Sequence, residues 1–242
     1  MAQSLAAYVS AGLGAALAVS IGVSHRQLCA LISFAAGTLL SVTLFHILPE
    51  AKENGLSVAS LGFALASGYG LFFLISRYVF HVCPACAASH FEHQSESKFK
   101  NIFFLLAIAL TIHSIMDGMA IALSPHMSQG AADPSLFFTV AIHKIPEGLA
   151  LCALLMKSSF SRTKALLGTL AFELSTLLGW TIGHGMIGLE MSVSWLNLVM
   201  VHIAGGFVYL AFHAAINEIR DHSPRFILSF FLLGLLFMAL VR

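Results

Sequence analysis

The segments TIHSIMDGMA (residues 111–120) and VAIHKIPEGLA (residues 140–150) place His113, Asp117 and Gly118, then His143, Lys144, Glu147 and Gly148, inside otherwise apolar runs. Both follow the pattern H-x-x-x-[DE]-G, with each histidine four residues before its carboxylate. On a helix that spacing sets the two side chains on one face, about one turn apart. Ionisable groups are costly in such surroundings, and in a membrane they mark binding sites or pathways. Two copies with one spacing argue for a shared purpose more than for two unrelated packing contacts between helices.

The composition makes lipid the expected solvent. Of 242 residues, 58% are hydrophobic and only 10% charged, with a mean hydropathy of +0.90; a soluble domain carries about 25% charged residues. Apolar runs of roughly 17–25 residues match a hydrocarbon core about 30 Å thick. Eight are readable, at about 5–23, 28–49, 57–80, 101–123, 135–157, 165–188, 195–217 and 225–241. The predicted fold is therefore an all-α integral membrane protein, an eight-transmembrane-helix bundle forming a single domain over residues 1–242. Small residues recur in the spans (FAAGTLLS, ALASGYG, HIAGGFVYLA), as expected of helices packed closely in lipid. Of the 12 lysines and arginines, nine fall in or beside the gaps after spans 1, 3, 5 and 7. By the positive-inside rule those gaps are cytoplasmic and both termini extracytoplasmic. The net charge of +1, with no basic stripe, excludes a nucleic-acid partner. Four scattered cysteines form no disulfide framework. The start, MAQSLAAYVS, has no basic segment of the kind that opens a cleavable signal peptide.

The two motifs lie near the middle of spans 4 and 5, which run antiparallel, so their polar groups are expected at one membrane depth. Two imidazoles and two carboxylates without a thiolate suit zinc, iron(II), manganese or cadmium. The predicted metal ligands are His113, Asp117, His143 and Glu147, with Glu173 in AFELSTLLGW of span 6 as a third acidic wall. Gly118 and Gly148 remove bulk just beyond each carboxylate and are expected to allow tight helix contact. Pro146 frees the carbonyl of Ile142, as in the broken helices that line transporter cavities. At the outer end of span 2, His46 and Glu50 repeat the four-residue spacing and are candidates for an entrance; His213 and Glu218, at the inner end of span 7, are candidates for an exit. His184 and His202 are assigned to packing.

On these residues the chain resembles the ZIP family of divalent-metal transporters. The resemblance is carried by FAAGTLLSVTLFHILPEA, HSIMDGMAIA, HKIPEGLALCALL and AGGFVYL. It implies import of zinc, iron(II), manganese or cadmium toward the cytoplasm, the ion being cargo and not a catalytic cofactor. It also implies a central metal site on spans 4 and 5 and an elevator-like motion of one helix group against another. Members with two metals usually carry Asn after the span-4 histidine and Asp, Asn or Glu after the span-5 histidine. Ser114 and Lys144 stand there in this chain. With Asp117, Glu147 and Glu173 ionised the cluster carries −3, and Lys144 brings it to −2, which a single divalent ion neutralises. Uncompensated buried charge costs several kcal/mol, so the expectation is one metal, with Lys144 as a built-in substitute for the second ion.

The cytoplasmic segment 81–100 holds His81, Cys83, Cys86, His90 and His93, a compressed Cys/His arrangement that either captures metal or is a solvated loop. Two rivals to import are a metal exporter and an intramembrane zinc hydrolase. No enzyme is expected, because H-E-x-x-H is absent. The expected partners are the metal ion, the bilayer and, left open, a second copy in a homodimer. The short loops point to a prokaryotic inner membrane.

Overall fold

The structure is a computed structural model that describes residues 1–21, 24–79, 96–127, 134–157 and 160–240. Every regular element among them is helical: α1 (Ala2–Ser20), α2 (His25–Val42), a π turn (Thr43–Ile47), α3 (Leu48–Glu53), α4 (Val58–Val79), α5 (Glu96–Met127), α6 (Pro134–Lys157), α7 (Arg162–Gly188), α8 (Val193–Asp221) and α9 (Pro224–Leu240). Each apolar segment read from the sequence is thus helical where described. Among the described residues, six stretches, over α1, α2 through α3, α4, α6, α7 and α8, are long and apolar enough to cross a membrane, and α9 is a shorter apolar helix of 17 residues.

Local signals start several of these helices. Ser24 caps α2 by accepting from the Gln27 backbone, while the Gln27 side chain accepts from the Ser24 N–H, a reciprocal pair that satisfies two otherwise free donors. Ser161 and Ser192 cap α7 and α8 in the same sense. At Thr43–Ile47 the helix widens, and the Leu48 N–H reaches back five residues to the Thr43 carbonyl. Pro146 sits within α6 without ending it. The break expected there is absent, and the helix absorbs the missing donor.

Four helix pairs pack most closely: α1 with α6, α5 with α7, α2 with α9, and α4 with α8. A reciprocal pair of glycines joins each. Gly14 lies under the Ile145 carbonyl and Gly148 under that of Ala11; Gly118 lies under the Thr176 carbonyl and Gly179 under that of Ile115. Gly37 and Gly234 do the same for α2 and α9, and Gly68 and Gly205 for α4 and α8. A Cβ at any of these would overlap a backbone oxygen, so only glycine permits the contact. The tight helix contact expected at Gly118 and Gly148 is present, and each glycine backs its own helix onto a different neighbour, Gly118 onto α7 and Gly148 onto α1.

The remaining contacts sort the pairs into two groups. α1, α5, α6 and α7 pack together, as do α2, α4, α8 and α9, and the groups meet chiefly through α2 with α6 and α5 with α8. Large apolar side chains such as Leu5, Leu13, Phe63, Leu174, Leu178 and Leu236 point outward, as a lipid-facing surface requires.

Candidate metal centre

His113 and Asp117 project from α5, and His143, Lys144 and Glu147 from α6; Glu173 comes from α7. All six therefore belong to one helix group. Asp117 and Lys144 are fully buried, and Glu173, His143 and His113 nearly so, while Glu147 is partly open. The opposite wall is aromatic. Phe207 of α8 lies edge-on to both imidazoles, with ring centroids 6.4 Å away in each case, and Phe72 of α4 meets His113 at 6.4 Å.

The four ligands expected on spans 4 and 5 come together: one atom from each of His113, Asp117, His143 and Glu147 lies within 4.8 Å of the others. His143 Nε2 is 3.1 Å from Asp117 Oδ2, and His113 Nε2 is 3.5 Å from Asp117 Oδ2 and 3.8 Å from Glu147 Oε2. Donor atoms around a tetrahedral zinc at about 2.0–2.1 Å lie roughly 3.3 Å apart, so these separations suit one ion. His143 Nδ1 donates to the Thr139 carbonyl at 2.9 Å. That bond orients the ring and turns Nε2 toward Asp117. A nitrogen lone pair and a carboxylate oxygen are both acceptors, so a proton or a cation has to lie between Nε2 and Asp117. Asp117 Oδ1 and His113 Nδ1 are buried with no hydrogen-bond partner among the described residues, and the former is a further oxygen open to a cation.

Lys144 occupies the other half of the site. Its Nζ is 2.8 Å from Glu147 Oε2, 3.0 Å from Glu173 Oε2 and 3.1 Å from Asp117 Oδ2, and it donates to Ser114 Oγ at 2.6 Å. Ser114 in turn donates to Glu147 Oε1 at 3.2 Å. One ammonium thus bridges three carboxylates, with its three N–H donors directed into a fully desolvated pocket. Glu173, expected as an acidic wall of the metal site, stands on this side: it touches Lys144 and is outside the four-residue group.

The outlying candidates behave differently. His46 is held by protein at both ring nitrogens, Nδ1 by Ser135 Oγ at 2.9 Å and Nε2 by the Met238 carbonyl at 3.3 Å. It lies in the π turn, where the bonding reaches back five residues, so the four-residue spacing to Glu50 no longer carries its α-helical meaning. His213 stacks on Tyr209, with centroids 5.2 Å apart, and is not brought to Glu218, which faces His222 instead. His202 accepts or donates with Ser67 Oγ at 2.8 Å, and His184 stacks on Trp180 at 4.8 Å, both as packing residues. His81, Cys83, Cys86, His90 and His93 lie outside the described residues. Thr139 and Phe207 are contributors that sequence reading passed over. Thr139 stands four residues before His143 and so could have been found as its carbonyl partner; nothing in the local sequence singles out Phe207.

A helical membrane bundle with a buried histidine–carboxylate centre on two consecutive helices is the class these features define. The chain belongs to the ZIP zinc transporter family, whose model matches residues 85–242. It is similar to the zinc transporter YKE4 of Saccharomyces cerevisiae, at 26% identity over 213 residues, 80% of this chain and 61% of that protein. It is 29% identical over 224 residues to the zinc transporter ZIP13 of Pongo abelii, covering 87% of this chain and 64% of that protein. The zinc transporter ZIP1 of Takifugu rubripes is 23% identical over 266 residues, 89% of this chain and 85% of that protein. The chain spans about three fifths of the length of the first two.

Proposed function

We propose that this protein imports a divalent transition metal, zinc before iron(II), manganese or cadmium, through a single-ion site formed by His113, Asp117, His143 and Glu147. The eight segments act as transmembrane spans of one domain, with the Arg- and Lys-rich gaps in the cytoplasm and both termini outside. The membrane is the prokaryotic inner membrane, and the direction of flux follows the family resemblance.

The observation that carries this reading is the division of the site. On one side, two imidazole nitrogens and two carboxylates stand at separations suited to one ion. On the other, Lys144 already supplies a positive charge to Asp117, Glu147 and Glu173. With these groups ionised the net charge is −2, matched to one divalent ion and not to two. The same arrangement suits release. Asp117 and Glu147 each contact both Lys144 and the histidine side, so the ammonium competes with the cargo for its oxygen ligands and keeps binding weaker than in a structural zinc site. All ligands sit on the α1/α5/α6/α7 group and face aromatic residues of the other group. Such a division fits carriage of the ion by movement of one group past the other.

The test is zinc uptake into proteoliposomes of known orientation. Uptake in the predicted inward direction, abolished by His143→Ala with the protein still folded, is the expected result. Uptake unaffected by His143→Ala would overturn the assignment of the site, and flux only in the opposite direction would make the protein an exporter.

A further inference from the structure

A second group of metal-ligating side chains lies in the other helix group, at the end of the bundle where the charge pattern places the cytoplasm. Cys29 is in the second turn of α2, Glu218 in the last turn of α8, and His222 caps α8. One ligand atom from each lies within 4.8 Å of the others. Cys29 Sγ is 3.7 Å from His222 Nε2, and His222 Nδ1 is 3.2 Å from both the Glu218 carbonyl and Glu218 Oε2. Cys29 is buried and not disulfide-bonded.

The carboxylate of Glu218 makes this more than a chance meeting. The residue is 1% exposed, yet neither of its oxygens has a hydrogen-bond partner among the described residues. A buried carboxylate left without donors is costly, and the His222 nitrogen near it is already directed at the Glu218 carbonyl. A cation between Glu218, His222 and Cys29 would satisfy the carboxylate and would convert the thiol to a thiolate ligand.

We propose that Cys29, Glu218 and His222 form a second cation site, selective for zinc or cadmium because it offers one sulfur, one nitrogen and one oxygen. A sulfur at about 2.3 Å and a nitrogen at about 2.0–2.1 Å from a tetrahedral ion stand roughly 3.5 Å apart, close to the 3.7 Å between Cys29 Sγ and His222 Nε2. Three protein ligands leave a fourth position for water. With Nε2 on the metal, Nδ1–H donates to the Glu218 carbonyl and fixes the ring, the outer-shell bond that a metal-bound histidine requires. This site differs in softness from the central one, which has no sulfur. It also differs in location, since both its helices belong to the group that holds none of the central ligands. An ion bound there ties the start of α2 to the end of α8. The proposal goes beyond the transport reading and does not rest on it.

The test is a cadmium titration of the purified full chain with Cys83→Ser and Cys86→Ser, which leaves Cys29 and Cys152 as its thiols. The ultraviolet thiolate-to-cadmium charge-transfer band and the number of bound ions are read together. The expected result is a band that is lost, with one bound ion, in Cys29→Ser. Glu218→Gln and His222→Gln should each weaken the binding that produces the band by at least about tenfold. His113→Ala should remove a different ion and leave the band intact, so failure of one site is distinguishable from failure of the other. Should Cys29→Ser not fold, His222→Gln, altered at a half-buried helix end, carries the test alone. No band in the parent, a band that survives Cys29→Ser, or a cadmium affinity read from the band that is unchanged in His222→Gln, would overturn the proposal.

Discussion

The two copies of H-x-x-x-[DE]-G look equivalent in sequence and are unequal in space. In the α5 copy, Asp117 is fully buried and receives His143, Lys144 and the more distant His113 on a single oxygen. In the α6 copy, Glu147 is partly open, takes Lys144 on one oxygen and Ser114 on the other, and has His113 only at 3.8 Å. The glycines that follow also part company, Gly118 backing onto α7 and Gly148 onto α1. A repeated motif thus specifies a two-faced helix: polar side chains forward, a backbone seam behind. The partner on each face comes from the rest of the fold. The longer reach of Glu147 makes it the more adjustable of the two carboxylates, and Asp117 the anchor.

The seam should break first and most completely. Gly118→Val and Gly148→Val each drive a branched side chain into a backbone carbonyl, where no rotamer change helps, and overpacking of this kind exceeds the usual cost of about 1–3 kcal/mol. Neither variant should yield monodisperse protein by size-exclusion chromatography. Gly185→Val, at a position with nothing within 4 Å of an added Cβ, should behave as the parent. If Gly148→Val were tolerated and Gly118→Val not, the seams would be unequal in strength and α1 the looser attachment.

Next in size is removal of the lysine that both copies share. Lys144→Met leaves Asp117, Glu147 and Glu173 without their common cation, and losing one partner of a buried ion pair costs roughly 3–5 kcal/mol. Thermal unfolding in chelator should show that loss. Saturating zinc should then raise the midpoint more in Lys144→Met than in the parent, because the metal takes over the missing charge. An unchanged midpoint in chelator would refute the bridging role.

The smallest effect, and the one that separates the two copies most directly, is the ranking of the carboxylates. Asp117→Asn should weaken zinc binding more than Glu147→Gln, by about tenfold, or roughly 1.4 kcal/mol, as measured by equilibrium titration. Equal losses would mean that the ion sits symmetrically between the motifs and that the anchor role is wrong.

Much of this was readable along the chain, for reasons that can be named. Apolar run length revealed the helices, since in lipid every backbone group must be satisfied inside its own segment. The i, i+4 spacing carried over into His113 with Asp117, where α5 is regular, whereas His46 lies in a π turn, where the register differs from that of an α-helix. His213 and Glu218 lie five apart, a spacing with no shared face, and the structure separates them accordingly. Cys29 and His222, 193 residues apart, could not be paired from local pattern at all.

What the amino-acid order determined by itself is the helical character, the low tolerance for charge and the placement of histidine and carboxylate on one face of each of two helices, because these depend on periodicity within a single segment. Which helix each glycine seam receives, the arrival of Glu173 at Lys144 instead of in the cluster of His113, Asp117, His143 and Glu147, and the meeting of Cys29 with Glu218 and His222 were decided only by tertiary packing. Those contacts depend on how separate helices come to lie against each other, and periodicity within one segment has no knowledge of its neighbour.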